Sequence, residues 1–332
     1  MTMWHVISNK RGTMEFASCS GSNTSTFLSF IGLLALTLWS CGTFKSLFGI
    51  VWGSCKQLFN EENFAVRYGQ WAVISGGSDG IGRQYARFFA RKGLNIVIIA
   101  LPDEKLERTA EEIELTFRVQ VRRIPADFSR GFELNDYLKQ ELHDLDVGIL
   151  VNNVGIARTD LAYFDKNTLK MHQQIINVNI NAAVMLSHII LPRMKQNHRG
   201  LVINIASVAG QVPIPFCLMY SATKAFVTNF SVALQQELSV FGVECQTVTP
   251  CFVATNLTER LSQYAIGRLL SANVETFGKF ATMTVGKTIR TTGYWVHGLM
   301  VTGLNFIPTE LLTKILLVLG KTIVERMKIS TQ

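Results

Sequence analysis

The chain has 332 residues, 48% hydrophobic and 17% charged, with a net charge of +8. That length holds one large α/β domain with additions or two modest domains, and so apolar a composition points toward membrane contact. No long Lys/Arg run interleaved with aromatics is present, which argues against a nucleic-acid partner; a basic chain with apolar segments suits an anionic membrane face better.

From Phe16 to Phe44 there is no charged residue, and residues 27–44 read FLSFIGLLALTLWSCGTF. About 20 apolar residues span a bilayer, so this stretch is expected to be a transmembrane helix. A cleavable signal peptide is the alternative, weakened by the run's distance from the N-terminus and the lack of a small-x-small exit. Lys10 and Arg11 precede the run while Lys45 and Lys56 follow it, so the positive-inside rule chooses no orientation. Asn23-Thr24-Ser25 is a glycosylation acceptor only if the N-terminus is lumenal.

From Gly69 onward short apolar runs alternate with helical stretches. Trp71–Ser75, Asn95–Ala100, Val119–Ile124, Val147–Val151, Leu201–Ala206 and Val243–Val248 have the near-continuous apolar character of buried parallel strands. Arg83–Lys92, Asp103–Thr116 and Ala222–Phe241 are predicted helices. The alternation predicts an α/β fold, a doubly wound parallel sheet of Rossmann type in a single domain. The expected organisation is an N-terminal region with the membrane anchor (1–66), a dinucleotide-binding and catalytic domain (67–260), and a substrate-side hydrophobic extension (261–332). Residues 291–321 are again apolar, which suits a second membrane contact, a lid over an apolar pocket, or a helix packed on the sheet. The cysteines (Cys19, Cys41, Cys55, Cys217, Cys245, Cys251) show no metal-ligand spacing and read as buried or membrane-embedded thiols in a reducing compartment. No metal site is expected.

Ser75-Gly76-Gly77-Ser78-Asp79-Gly80-Ile81-Gly82 follows the first strand and opens a helix. Glycines let the backbone turn tightly against a pyrophosphate, whose charge sits at the helix N-terminus. Asp127 follows the third strand, where a carboxylate can accept from an adenine amino group. Asn152-Asn153-Val154-Gly155 follows the fourth, at the topological switch point. Each alone is an ordinary turn signal; three in register point to a dinucleotide.

Tyr220 and Lys224 are four residues apart, on one face of a predicted helix. A free tyrosine has a pKa of about 10, and a neighbouring cation is expected to lower it. Such a phenol can protonate a ketone oxygen as hydride arrives, or take the proton back on oxidation. Ser207, at the end of the fifth strand, can hold the substrate oxygen beside it. Asn177, Asn179 and Asn181 alternate along an apolar helix. One that faces the core needs partners, such as a proton-relay water linked to Lys224, and the residues alone do not say which one it is.

Together these motifs resemble the signature of the short-chain dehydrogenases/reductases. The resemblance covers about Tyr68 to Thr255 and continues through Arg290–Tyr294. YGQWAVISGGSDGIG, DVGILVNNVG, YSATK, PCFVAT and RTTGYWVHGLM resemble one subgroup. It holds the 17-beta-hydroxysteroid dehydrogenases, the very-long-chain 3-oxoacyl-CoA reductases and the hydroxysteroid dehydrogenase-like protein 1 branch, where the catalytic tyrosine can be absent. The resemblance implies a catalytic tetrad of Asn179, Ser207, Tyr220 and Lys224. It implies cofactor contacts from Gly76, Ser78, Asp79, Gly80, Ile81, Gly82, Asp127, Asn153, Gly155, Tyr220, Lys224, Val253 and Thr255. NADP(H) is the favoured cofactor, with NAD(H) the alternative, and the substrate is a hydrophobic ketone or alcohol, either a steroid or a long-chain 3-oxoacyl-CoA. Location in the endoplasmic reticulum membrane, or else the mitochondrion, and homodimerisation are further family expectations. Relatives carry a Ser-Arg pair after the second strand whose arginine clasps the 2′-phosphate; here Ala100-Leu101 stands there, with Arg83 or Lys105 as substitute cations. A catalytically idle dinucleotide-binding membrane scaffold is the alternative function.

Overall fold

The computed structural model describes residues 26–33, 37, 63–157, 161–258 and 271–330, with side chains through 325. Residues 26–33, within an N-terminal unit ending at Ser46, are helical, with Phe27, Leu28 and Phe30 exposed. The remainder of the expected anchor, and the Asn23 acceptor, lie outside the described residues.

In the second unit, Trp71–Ser75 (β1), Asn95–Ala100 (β2), Val121–Pro125 (β3), Val147–Asn152 (β4), Leu201–Ile205 (β5), Glu244–Val248 (β6) and Arg290–Thr291 (β7) form one sheet. Its seven strands run in the order β3-β2-β1-β4-β5-β6-β7, and every pairing is parallel. The predicted strands are all present. β7 was not expected from the sequence, because two residues carry no periodicity to read.

Side chains of a strand alternate between faces, and here both faces are covered. Ala72 and Ile74 of β1, with Ile96 and Ile98 of β2, enter one core with Tyr85, Phe89, Ile113 and Phe277. Val73, Val97 and Ile99 enter the other, with Leu138, Leu150, Leu186 and Leu234. The first face is covered by helices Gly80–Arg91 (α2), Glu104–Phe117 (α3) and Val274–Met283 (α8), and Phe64–Arg67 (α1) adds Phe64 to it. Asn135–Leu142 (α4), Ala182–Gln196 (α6) and Leu218–Ser239 (α7) lie on the second, and Leu169–Ile176 (α5) leads into α6. Each fully buried large apolar side chain contributes roughly 1.5–3 kcal/mol. Trp295–Leu304 (α9) and Thr309–Ser330 (α10) close the chain.

Local sequence sets the helix starts. Asp103 accepts from the backbone N–H of Lys105 and Leu106, and Thr168 accepts from that of Met171. Between α5 and α6, Asn177–Asn181 form a π-helical turn, an irregularity common at functional sites. Among the described residues, one helical stretch, Leu169–Gln196, is long and apolar enough to cross a membrane; half of its apolar window is buried inside the fold.

Candidate active site

β1 and β4 are neighbours in the sheet although their chain connections leave in opposite directions, so a crevice opens at their C-terminal ends. Ser75 ends β1, and its hydroxyl accepts from the N–H of Asn153 at 3.0 Å and of Val154 at 3.2 Å. The Asn153 amide donates to the carbonyls of Ser75 at 3.0 Å and Gly76 at 3.1 Å. This clamp folds the glycine turn onto β4. A Cβ on Gly82 would lie 2.2 Å from Gly76 O and 2.5 Å from Asn153 Nδ2, so only glycine permits the approach.

Asp79 caps α2, accepting from Gly80 N–H at 2.7 Å. Its other oxygen takes Lys105 Nζ at 2.7 Å and Asn256 Nδ2 at 2.8 Å. Partial burial would raise this carboxyl, but Lys105, the Gly80 N–H and the Asn256 amide together hold it below its usual value. The Ser78 carbonyl accepts from Thr109 Oγ1 at 2.8 Å, and Ile81 packs against the first core. Asp127 is exposed and spends one oxygen on Ser129 N–H at 2.9 Å. At the end of β2, Leu101 is 54% exposed. Both substitute cations are engaged: Arg83 pairs with Glu112, and Lys105 with Asp79.

Across the sheet the four predicted catalytic residues come together. Ser207 caps a short turn after β5; its Oγ accepts from Ala209 N–H at 3.1 Å and donates to Pro250 O at 3.4 Å. Tyr220 and Lys224 lie on the first turns of α7, and the Ser207 hydroxyl is near enough to the Tyr220 phenol to favour its ionised form. Lys224 Nζ donates to Ile205 O at 2.9 Å and stands 5.8 Å from the Tyr220 ring centroid. Asn179, in the π-helical turn, is the inward asparagine of the three. It accepts from Ile156 N–H at 2.8 Å and donates to Ile156 O at 2.9 Å and to Thr223 Oγ1 at 3.0 Å. Asn177 instead reaches Ser129 O, and Asn181 reaches Asn177. A small cavity touches Asn179, Lys224, Ser75 and Asn152. Gly155 passes so close that a Cβ there would stand 3.3 Å from Lys224 Nζ.

The expected lowering of the phenol is overturned. Burial dominates and pushes Tyr220 up to about 12, against a smaller lowering by the Ser207 hydroxyl. Burial likewise pushes Lys224 down to about 8. Desolvation disfavours the charged form of each, and Lys224 contributes no lowering of the phenol.

Beyond β6, residues 250–256 cross the crevice. Val253 bridges to Ala272, and Thr255 sits over the glycine turn, its Cγ2 3.3 Å from where a Cβ on Gly80 would be. Beside Tyr220 a cleft is walled by Phe164, His172, Ile175, Phe216 and Met219. Phe216 has φ +65°, a strained conformation for a bulky residue. Gly320 of α10 presses on its ring, where a Cβ would come within 2.5 Å. Sequence reasoning missed these wall residues; they follow no motif, and α10 reaches the cleft only through the fold.

The residues present fit a dinucleotide. A turn whose Gly82 leaves no room for a Cβ, and Gly76 little, opens a helix whose first N–H groups have no intrahelical acceptor.

Residues 70–265 match the family model described as short chain dehydrogenase. The chain is 35% identical over 305 residues to mouse (Mus musculus) very-long-chain 3-oxoacyl-CoA reductase, covering 90% of this chain and 95% of that protein. It is 38% identical over 242 residues to human (Homo sapiens) inactive hydroxysteroid dehydrogenase-like protein 1, covering 73% of each. Among solved structures, a short-chain dehydrogenase from Sphingobium yanoikuyae in complex with NADPH superposes with a TM-score of 0.62 at 29% identity, covering 71% of this chain and 93% of that one.

Proposed function

This chain belongs to the short-chain dehydrogenase family, and from that premise we propose that it passes a hydride between NADP(H) and a hydrophobic ketone or alcohol. The carrying observation is the convergence of Asn179, Ser207, Tyr220 and Lys224 at the strand ends, beside the glycine turn. The bound nicotinamide would supply or receive the hydride. Tyr220, with its pKa near 12, is a protonated phenol at neutral pH and so is in the donor state for carbonyl reduction. Ser207, beside that phenol, orients the carbonyl oxygen. Lys224 brings positive charge to a site with little water, and Asn179 holds the Ile156 backbone against α7.

The apolar cleft walls support a long or polycyclic substrate, and the mouse relative's name favours 3-oxoacyl-CoA among the two classes considered. Residence in the endoplasmic reticulum membrane is part of the proposal. It rests on the uncharged run 16–44, read as a transmembrane anchor, and on α10, where Leu311, Ile315 and Val318 stand exposed beside Lys314.

The test is cofactor consumption by the detergent-solubilised protein, with NADPH and NADH each offered against long 3-oxoacyl-CoA and steroid ketones. Tyr220→Phe should lower turnover by about 10²–10⁴-fold while cofactor binding survives; equal turnover in that variant sinks the assignment. Leu101 and the human relative described as inactive favour a second reading, a dinucleotide-binding scaffold without turnover. Cofactor binding with no oxidation by any ketone would establish it.

A further inference from the structure

His297, in the first turn of α9, is fully buried, and no step above uses it. Its ring lies 5.8 Å from that of Phe277 and 5.2 Å, edge-on, from that of Tyr294. A phenyl group would fill such a place. The imidazole does something a phenyl cannot: Nδ1 accepts from the backbone N–H of Cys251 at 3.3 Å, and Nε2 lies 3.1 Å from the carbonyl of Phe252. A carbonyl only accepts, so the proton sits on Nε2 and the ring is the neutral tautomer. Burial holds it in that form by pushing its pKa down.

Those two peptide groups begin the strap that crosses the crevice. Immediately before them, Pro250 O takes the hydroxyl of Ser207 at 3.4 Å and the N–H of Val208 at 2.9 Å. After them come Val253, Thr255 over Gly80, and Asn256, whose amide holds Asp79 at the start of α2. One end of the strap is therefore fastened to the glycine turn, and the other to a ring that no motif in the catalytic domain announces. The Phe252 carbonyl also accepts from Ala272 N–H at 2.9 Å, so the imidazole fixes the point where the strap turns over the crevice.

We propose that His297 is a positioning residue for the nicotinamide side of the cofactor site, setting the height of residues 250–253 over the groove and the orientation of Ser207 beneath Pro250, while Asn256 holds the far end of the strap at the glycine turn independently. The inference rests on the dinucleotide reading of the groove and adds to it a residue that touches neither cofactor nor substrate.

The experiment compares two ligands on the full-length, detergent-solubilised protein: NADP⁺, and 2′-phospho-ADP-ribose, which lacks the nicotinamide. His297→Phe should weaken NADP⁺ about tenfold, the cost of one or two lost buried hydrogen bonds, and leave 2′-phospho-ADP-ribose within about twofold. His297→Gln, which can still donate toward Phe252 O, should recover part of the NADP⁺ affinity. Parallel loss of both ligands in the variants, or no change in either, overturns the proposal. If His297→Phe does not fold, the split between the two ligands in His297→Gln and His297→Asn decides in the same way. A wild-type protein that binds neither this pair nor NAD⁺ and ADP-ribose, the same pair without the 2′-phosphate, overturns the groove reading itself, and that outcome is distinct from every result confined to the variants.

Discussion

At one end of the groove, β5 and α7 bring together Ser207, Tyr220 and Lys224, with Ser207 tied to Pro250 O and Lys224 to Ile205 O, and Asn179 is locked between Ile156 and Thr223. At the other end, β2 stops at Ala100 and the exposed Leu101, while Arg83 and Lys105 are committed to carboxylates. Under the proposed function, the end that would handle protons keeps the family pattern, and the end that would read the ribose substituent does not. Chemistry and cofactor choice are therefore separable in the proposed reading. A chain can retain the groups that move a proton while its preference for a 2′-phosphate weakens.

The comparison breaks most visibly at Lys224. Its folded value is about 8, whereas a free lysine titrates near 10.4. Between these values the unfolded chain binds more protons than the folded one, so this residue makes stability rise with pH across that window. Below about 8 the cost of the buried charge is present in full. Lys224→Met should therefore be more stable than wild type at pH 7, by up to about 3 kcal/mol less the lost bond to Ile205 O. The gap should close as pH rises from 8 toward 10.4. Urea denaturation of both proteins over a pH series measures it, and the tyrosines and cysteines, common to both, cancel in the difference. A gap that does not vary with pH would remove the case for a charge held at a cost at the catalytic end.

The phosphate end gives the next effect. Leu101→Arg restores a guanidinium where relatives carry one, and a charge-assisted contact contributes about 1.5–3 kcal/mol. The ratio of NADP⁺ to NAD⁺ affinity should rise at least about tenfold, with kcat for the preferred ketone little altered. An unchanged ratio would mean that Lys105 already reads the phosphate despite its pairing with Asp79, and the two ends would then be equally complete.

Much of this was legible in the sequence, for physical reasons. Strands buried on both faces leave continuous runs such as NIVIIA, and the glycine turn and the Tyr220/Lys224 pair depend on short, fixed spacings. What could not be read depends on contacts between distant segments. β7 is two residues long and exists through its pairing with β6. The choice of Asn179 over Asn177 and Asn181 needed the resemblance, because a π-helical turn shifts which side chains face inward. Phe216 takes a positive φ under Gly320, and His297 serves a segment on the far side of α8. The sign of the Tyr220 shift was misjudged because attraction to Lys224 was weighed without the desolvation that accompanies it.

The smallest predicted effect lies behind the glycine turn. Tyr85 of α2 is fully buried, its hydroxyl has no partner among the described residues, and burial drives its pKa far above the ordinary value. A buried hydroxyl without a hydrogen bond costs free energy that a phenyl ring of the same shape avoids. Tyr85→Phe should therefore stabilise the protein by about 1 kcal/mol and leave cofactor affinity and turnover as they are. Thermal melting and a dinucleotide titration on the same sample check both halves. If stability rises and affinity is untouched, α2 supports the turn by packing alone, and the shortfall at this end of the groove is confined to the position after β2. If the variant loses affinity, the hydroxyl holds a water or a turn residue when the cofactor is seated. The phosphate end would then carry a polar support of its own, and Leu101 would no longer stand as its one departure.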